Sequence, residues 1–423
     1  MCGRGGVIHT SAVSVPPENL LEFLRQCGVA LCLAGESANR IPDELVALAD
    51  AYGVDDVEFL VVPTGVFVRS RGGGGVVVDF ANADGPPLRL DQIDQLYKLF
   101  EQVKAAPIPP AEGIVKVRDI LDAPPRHGNL VPVLGHGVLT VGIGLLFVRD
   151  GRALVSLALL GLLVGVLRLV AERVQVLSLA LPVAAAMLVT FLAYRYSPEL
   201  GADPASLLIP PLATFLPGAA LTLGAQEMVT RSIISGASRL VSSVYVLLLL
   251  TFGIYAGMQL AGPVQDVPVP EQLGQWAPWV GVLVFGVGIY LNSAAPSRSL
   301  PWLIVTLFLA YGAQFLVGSW TGGVFAAFVG GLLIVPLANA VQRLGGPPAQ
   351  VVFLPSFWLL VPGALSLVGV SGLTGLVELS ATGRSNLITA FLTVVAVSLG
   401  VLVGSSLLSN VTASSRLYTS RSA

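Results

Sequence analysis

LPGAALTLGAQE at residues 216–227 returns as VPGALSLVGVSG at residues 361–372. Each block carries a Pro-Gly pair, Pro217-Gly218 and Pro362-Gly363, inside a long apolar run. Proline removes a helix hydrogen bond and clashes with the preceding turn, and glycine lets the backbone swing. A break of this kind inside a bilayer frees N–H and C=O groups, which are tolerated only where protein or water surrounds them. A zwitterionic amino acid needs the same groups for its carboxylate and ammonium ends. Breaks at equivalent places in two halves of one chain read as a site or gate rather than as packing kinks.

The repeat extends on both sides of these blocks. Gly137-Val138-Leu139-x-x-Gly142-Ile143-Gly144 recurs as Gly281-Val282-Leu283-x-x-Gly286-Val287-Gly288, an offset of 144. Pro210 recurs as Pro355 at 145. Gly236, Ser238, Leu240, Gly253 and Gly257 recur as Gly383, Ser385, Leu387, Gly400 and Gly404 at 147. Three blocks in one order at nearly one offset argue against chance.

The composition places this repeat in a membrane. Hydrophobic residues make up 54% of 423 residues and charged ones 11%, with a mean hydropathy of +0.81. Soluble proteins carry about 25% charged residues. Up to His127 there are 11 Lys+Arg against 17 Asp+Glu, and beyond it 12 against 8. An acidic, polar domain therefore precedes a long apolar region, and no basic patch points to nucleic acid. The N-terminus has no apolar core, so no cleavable signal peptide is expected.

Ten runs have bilayer length: Leu130–Val148, Ala153–Leu169, Val174–Tyr194, Ser206–Gly224, Leu240–Leu260, Trp276–Leu291, Leu300–Val317, Gly322–Val341, Val351–Thr374 and Leu387–Leu408. Five spans per half force the second half to insert upside down, an inverted repeat with its site near midplane. With the acidic domain inside, the inner loops and C-terminus hold Arg168, Arg173, Arg231, Arg239, Arg298, Arg343, Arg416 and Arg421, whereas the outer loops hold Arg149, Arg152, Arg195 and Arg384. That bias puts both termini in the cytoplasm.

The soluble part reads as a small α+β domain. Leu20, Leu21, Leu24, Cys27 and Leu31 follow a helical period, as do Ile41, Leu45, Leu48 and Ala49. Val57–Val62, Gly65–Arg69 and Val76–Phe80 read as strands, followed by helices near Leu90–Ala105 and Glu112–Leu121. Gly72–Gly75 lacks phosphate-loop spacing and reads as a hairpin turn. Cys2, Cys27 and Cys32 fit no zinc pattern and read as reduced thiols. His9 and His127 are isolated, and no metal or other cofactor is expected.

Candidate chemistry clusters after the Pro-Gly pairs. Substrate contacts are expected at Pro217, Gly218, Thr222, Pro362, Gly363 and Ser366. Glu227, with Arg231 at i+4 or Arg239 as its cation, is the candidate proton carrier, and His136 in Gly135-His136-Gly137 is a second one. Glu378 is a further carboxylate in the second half, and both glutamates have a plainer reading as solvated carboxylates at a membrane end. Gly161/Gly165, Gly253/Gly257, Gly318/Gly322 and Gly400/Gly404 have the small-xxx-small spacing of close helix packing. Two other classes stand beside a transporter. A membrane-embedded hydrolase would need GxSxG or HExxH, and neither occurs. A membrane sensor or scaffold would need neither the repeat nor the paired breaks.

Ile209-Pro210-Pro211-x5-Pro217-Gly218-Ala219-x-Leu221-x5-Glu227-Met228 and Ser235-Gly236-Ala237-Ser238-Arg239-Leu240 resemble the threonine/serine exporter family. Gly35-Glu36-Ser37-Ala38-Asn39-Arg40-Ile41, Ala51-Tyr52-Gly53 and Pro63-Thr64-Gly65 are similar to its N-terminal domain. The resemblance implies a non-enzymatic exporter of threonine and serine at the plasma membrane, driven by the proton-motive force and compatible with an oligomer. The expected organisation is a cytosolic α+β domain at 1–128, a first five-helix membrane half at 129–262 and a second at 263–423.

The inverted reading places the loops around Asp266 and Arg298 on opposite sides. Single cysteines there are expected to react with an impermeant thiol reagent from outside at position 266 and not at 298. Equal labelling of both sinks the ten-span arrangement.

Overall fold

The computed structural model describes residues 18–72, 75–147, 151–172, 174–200, 203–263, 273–360 and 382–419. Cys2, His9, Arg149, Arg173, Asp266, Pro362, Gly363, Ser366, Glu378 and Arg421 lie outside them, and with them the second Pro-Gly break. The chain divides into two compact units, Met1–Leu88 with Gln95–Ala123, and Arg89–Asp94 with Pro124–Ala423.

The first unit is the α+β domain. Helices α1 (Glu18–Leu33) and α2 (Ile41–Ala51) precede an antiparallel meander of β1 (Val57–Val62), β2 (Gly65–Gly72) and β3 (Gly75–Asn82), followed by α3 (Leu90–Ala105) and α4 (Pro110–Leu121). Val62 pairs with Gly65 across a two-residue hairpin, and β2 and β3 pair as far as Gly72 and Gly75, so the strands zip further than the apolar runs alone predict. Phe23, Leu24, Leu31, Leu45, Val66 and Phe100 form the buried core. Each such side chain contributes about 1.5–3 kcal/mol by leaving water. Cys27 and Cys32 are buried thiols, the Cys32 Sγ donating to the Val62 carbonyl at 3.8 Å, and burial pushes the Cys27 thiol well above its usual range.

The second unit is helical: α5 (Leu130–Phe147), α6 (Ala153–Ala171), α7 (Gln175–Arg195), α8 (Gly218–Val229), α9 (Ile233–Ala261), α10 (Ala277–Asn292), α11 (Leu300–Thr321), α12 (Gly323–Arg343), α13 (Ala349–Leu360) and α14 (Thr382–Thr419). Short helical turns fill Pro204–Phe215 between α7 and α8. Among the described residues, α6, α9, α11, α12 and Ile388–Leu407 of α14 are long and apolar enough to cross a bilayer. Pro204–Phe215 and α8 make a sixth such span only as a pair bent by 57°. The other apolar helices are shorter. The polar run Ser235–Arg239 is not a loop before a span at Leu240, because α9 already begins at Ile233.

Backbones approach closely where glycines remove side chains. Gly135 faces Leu291 and Asn292, Gly142 faces Phe285, and Gly288 faces Leu139, so α5 and α10 run antiparallel. Gly253 and Gly257 of α9 sit on Val183 and Met187 of α7, and Gly400 and Gly404 of α14 sit on Phe328 and Leu332 of α12. Both of these pairs run parallel. Gly318/Gly322 departs from the packing expectation, because Gly322 ends α11 at φ 89° and its missing side chain faces open space.

A side chain at Gly400 has nowhere to go, because the backbones of Phe328, Gly331 and Leu332 occupy its place, whereas Gly323 opens to empty space. Gly400→Val is expected to lose about 1–3 kcal/mol, the range for overpacking, and Gly323→Ala to change little. Thermal unfolding in detergent checks the contrast.

Candidate functional site

The residue before a proline is pushed out of the helical region, and Leu216 is extended at φ −69°, ψ 125°. Pro217 then caps α8, whose first residue, Gly218, is buried. The Thr222 hydroxyl donates back to the Gly218 carbonyl at 3.1 Å. From the second half, the Ser398 hydroxyl of α14 reaches the Thr222 carbonyl at 3.0 Å. On the other side of the break, Thr214 meets His136.

His136 is fully buried. Its Nδ1 lies 2.9 Å from the Gly161 carbonyl and its Nε2 3.1 Å from Thr214 Oγ1. A carbonyl only accepts, so Nδ1 carries a proton, and Nε2 pairs with the threonine hydroxyl. The ring thereby ties α5 to both α6 and the broken span.

Glu227 has 0% exposure. Both of its carboxylate oxygens lie 3.1 Å from Nε of Arg239, whose side chain is 14% exposed. The expected i, i+4 contact with Arg231 is replaced by this one. α8 ends at Val229, and Arg231 takes the left-handed region at φ 67° in the turn before α9. Arg231 therefore no longer shares a helix face with Glu227, and it is exposed. α9 folds back along α8, with Gly224 and Gly236 close enough that a Cβ on Gly236 would sit 2.7 Å from the Gly224 carbonyl. That hairpin brings Arg239, twelve residues on, to Glu227.

The structure thus gathers Pro217, Gly218, Thr222, Glu227, Arg239 and His136 along one broken span and its neighbours. Sequence reasoning missed Thr214 and Ser398. The signal for Ser398 was present: it repeats Thr251 at the same offset of 147 that relates Gly253 to Gly400. No group of His, Cys, Asp or Glu that could hold a metal occurs among the described residues. An open groove of about 560 Å³, lined by Thr321, Phe325, Phe328, Leu392, Val395 and Leu399 among others, holds none of the expected site residues.

The soluble unit has its own polar cluster. Tyr97 donates to buried Glu36 at 2.6 Å, and Arg40 lies 3.7 Å from the same carboxylate. Burial, then the Glu36 charge, pushes the Tyr97 hydroxyl well above the usual phenol range, so it remains a donor. This cluster locks the Gly35–Ile41 loop onto α3.

A bundle of bilayer helices with a broken span and a buried charge pair beside it defines a polytopic membrane protein of transporter type. The chain belongs to the family described as "Putative threonine/serine exporter", whose model matches residues 22–261. It is similar to the Pheromone-regulated membrane protein 10 of three fungi. In Zygosaccharomyces rouxii the identity is 23%, over 90% of this chain and 42% of that protein. In Eremothecium gossypii it is 25%, over 95% and 58%. In Candida albicans (strain WO-1) it is 24%, over 90% and 37%. The chain thus spans about half the length of these relatives. No solved structure gives a significant match.

Removing one partner of a buried ion pair costs about 3–5 kcal/mol, whereas an exposed residue held at positive φ is relieved by glycine. Arg239→Gln is expected to lower the thermal midpoint in detergent strongly, and Arg231→Gly to raise it slightly. Equal effects at the two positions would contradict the pairing.

Proposed function

We propose that this protein is a secondary active exporter of small hydroxy amino acids, threonine and serine, working as a proton antiporter in the plasma membrane. The observation that carries this reading is the Glu227–Arg239 pair, buried beside the broken span. An ionisable pair in a bilayer is costly and marks a substrate or ion path. A carboxylate held by a cation in one state and by a proton in another gives the exchange an antiporter needs. Glu227 is the proton carrier, with Arg239 as its cation; His136, bound through both ring nitrogens, is the second candidate. Arg231 serves the turn.

Pro217, Gly218 and Thr222, with their second-half counterparts Pro362, Gly363 and Ser366, line the substrate path. Ten spans in two inverted halves, 129–262 and 263–423, follow a cytosolic domain at 1–128, and both termini are cytoplasmic. Packing relations support the repeat and its inversion. α5 and its repeat α10 cross antiparallel, as inversion requires, and the parallel pairs α7–α9 and α12–α14 use glycines 147 apart, as a repeat requires. Val183 and Met187, met by the first glycine pair, lie 145 residues before Phe328 and Leu332, met by the second. A sensor or scaffold requires none of this.

The test is efflux of labelled threonine from cells loaded through a threonine-containing peptide. Glu227→Gln keeps size and hydrogen bonding but cannot release a proton. It is expected to abolish pH-gradient-driven efflux and to spare exchange between equally loaded sides. Full gradient-driven efflux would move the proton route elsewhere. Pro217→Ala with Pro362→Ala is expected to reach the membrane and export poorly, because alanine restores helical hydrogen bonds across both breaks. Normal export by that double variant reduces the breaks to kinks.

A further inference from the structure

Ser398 has no place in the path just described, yet its hydroxyl makes a buried contact that links the second half to the broken span. It is 1% exposed, in the middle of α14. Its one proton is shared between its own helix, at the Val394 carbonyl 2.7 Å away, and the Thr222 carbonyl of α8 at 3.0 Å. A serine in an apolar helix normally satisfies itself on the preceding turn alone. The second acceptor is what ties α14 to α8.

The two sides of the break are held from different places. Before Pro217, Thr214 is bound to His136 of α5. After it, Thr222 joins the Gly218 carbonyl to Ser398 of α14. Between these anchors lies the 57° bend. If α14 moves with the second half while α5 stays with the first, α8 either follows α14, changing the bend, or lets go of Ser398. The hydroxyl therefore favours the arrangement seen here over any other. Thr251, its counterpart on α9, is buried too, so each half offers one hydroxyl at the same place on its fifth helix.

We propose that Ser398 is a positioning residue that latches the second half onto the broken span and sets the balance between the carrier's two access states. This rests on the exporter reading above. Losing one net hydrogen bond shifts a two-state balance by about 3- to 10-fold.

The experiment uses the full chain in proteoliposomes with labelled threonine, comparing wild type, Ser398→Ala and Ser398→Thr. Shifting a two-state carrier makes the half-saturation constants from the two membrane faces move in opposite directions. Ser398→Ala is expected to move them apart by about 3- to 10-fold in their ratio, and Ser398→Thr, which keeps the hydroxyl, to restore it. A ratio unchanged in Ser398→Ala, or constants that worsen equally on both faces, overturns the latch. A second readout needs no substrate: an impermeant thiol reagent acting on Ala219→Cys, half-buried beside the break, from each face, with the parent protein as the blank. Ser398→Ala is expected to speed labelling from one face and slow it from the other, and unchanged labelling overturns the proposal. If wild type exchanges neither threonine nor serine, the exporter reading fails, and the labelling result still decides on the latch.

Discussion

Lipid tails are as apolar as leucine, so helices in a bilayer gain little by hiding leucines from it. What holds them is close contact, and contact is closest where no side chain intervenes. In this protein backbone meets backbone at Gly142 against Phe285, Gly257 against Met187 and Gly404 against Leu332. These seams pair α5 with α10, α7 with α9, and α12 with α14, and the remaining helices are placed around them. With three rigid pairs in place, the chain tolerates a broken span, and the first turns after Pro217 are tied by the Thr222 hydroxyl within α8 and by the Ser398 hydroxyl on α14.

Much of this was legible in the residues. Eight of the ten apolar runs fall on single helices, because a run without charges has few other ways to satisfy its backbone in lipid; Ser206–Gly224 falls on short turns and α8, and Val351–Thr374 is described only as far as Leu360. The strands of the soluble unit were read from their valines and bounded by Pro63-Thr64 and Gly72–Gly75. The partner of Glu227 was open between two arginines. Spacing favoured Arg231, one helical turn on, because i+4 contacts assume that the helix continues. A non-glycine residue at φ 67° leaves no trace in a sequence, so the turn that removes Arg231 and brings in Arg239 could not be seen. Ser398 was hidden for a different reason: a lone serine among valines and leucines looks like packing until the repeat sets it beside Thr251.

The broken span also separates two kinds of polar contact. His136 and Thr214 join α5 to the broken span, and both ring nitrogens are engaged, an arrangement suited to a fixed anchor. Ser398 joins α14 to α8 through a shared proton, a weaker bond suited to being made and broken. The charge pair lies farther along α8, at the hairpin with α9. Anchor, latch and charge thus follow one another along a single segment of chain, each tied to a different neighbour.

The α8–α9 hairpin has a consequence for how the chain enters the membrane. A helix carrying Glu227 alone, or Arg239 alone, faces a penalty of about 2.5–3.5 kcal/mol if its charge sits near the bilayer centre. In the folded protein the two charges neutralise each other across a tight turn, with Gly224 and Gly236 letting the helices touch. Partitioning into lipid is therefore cheapest when both helices leave the translocation machinery as one neutral unit. Only eleven residues, Met228 through Ser238, lie between Glu227 and Arg239, so the partner of each charge is synthesised almost at once. The buried Glu227–Arg239 pair thus also lowers the cost of inserting this segment.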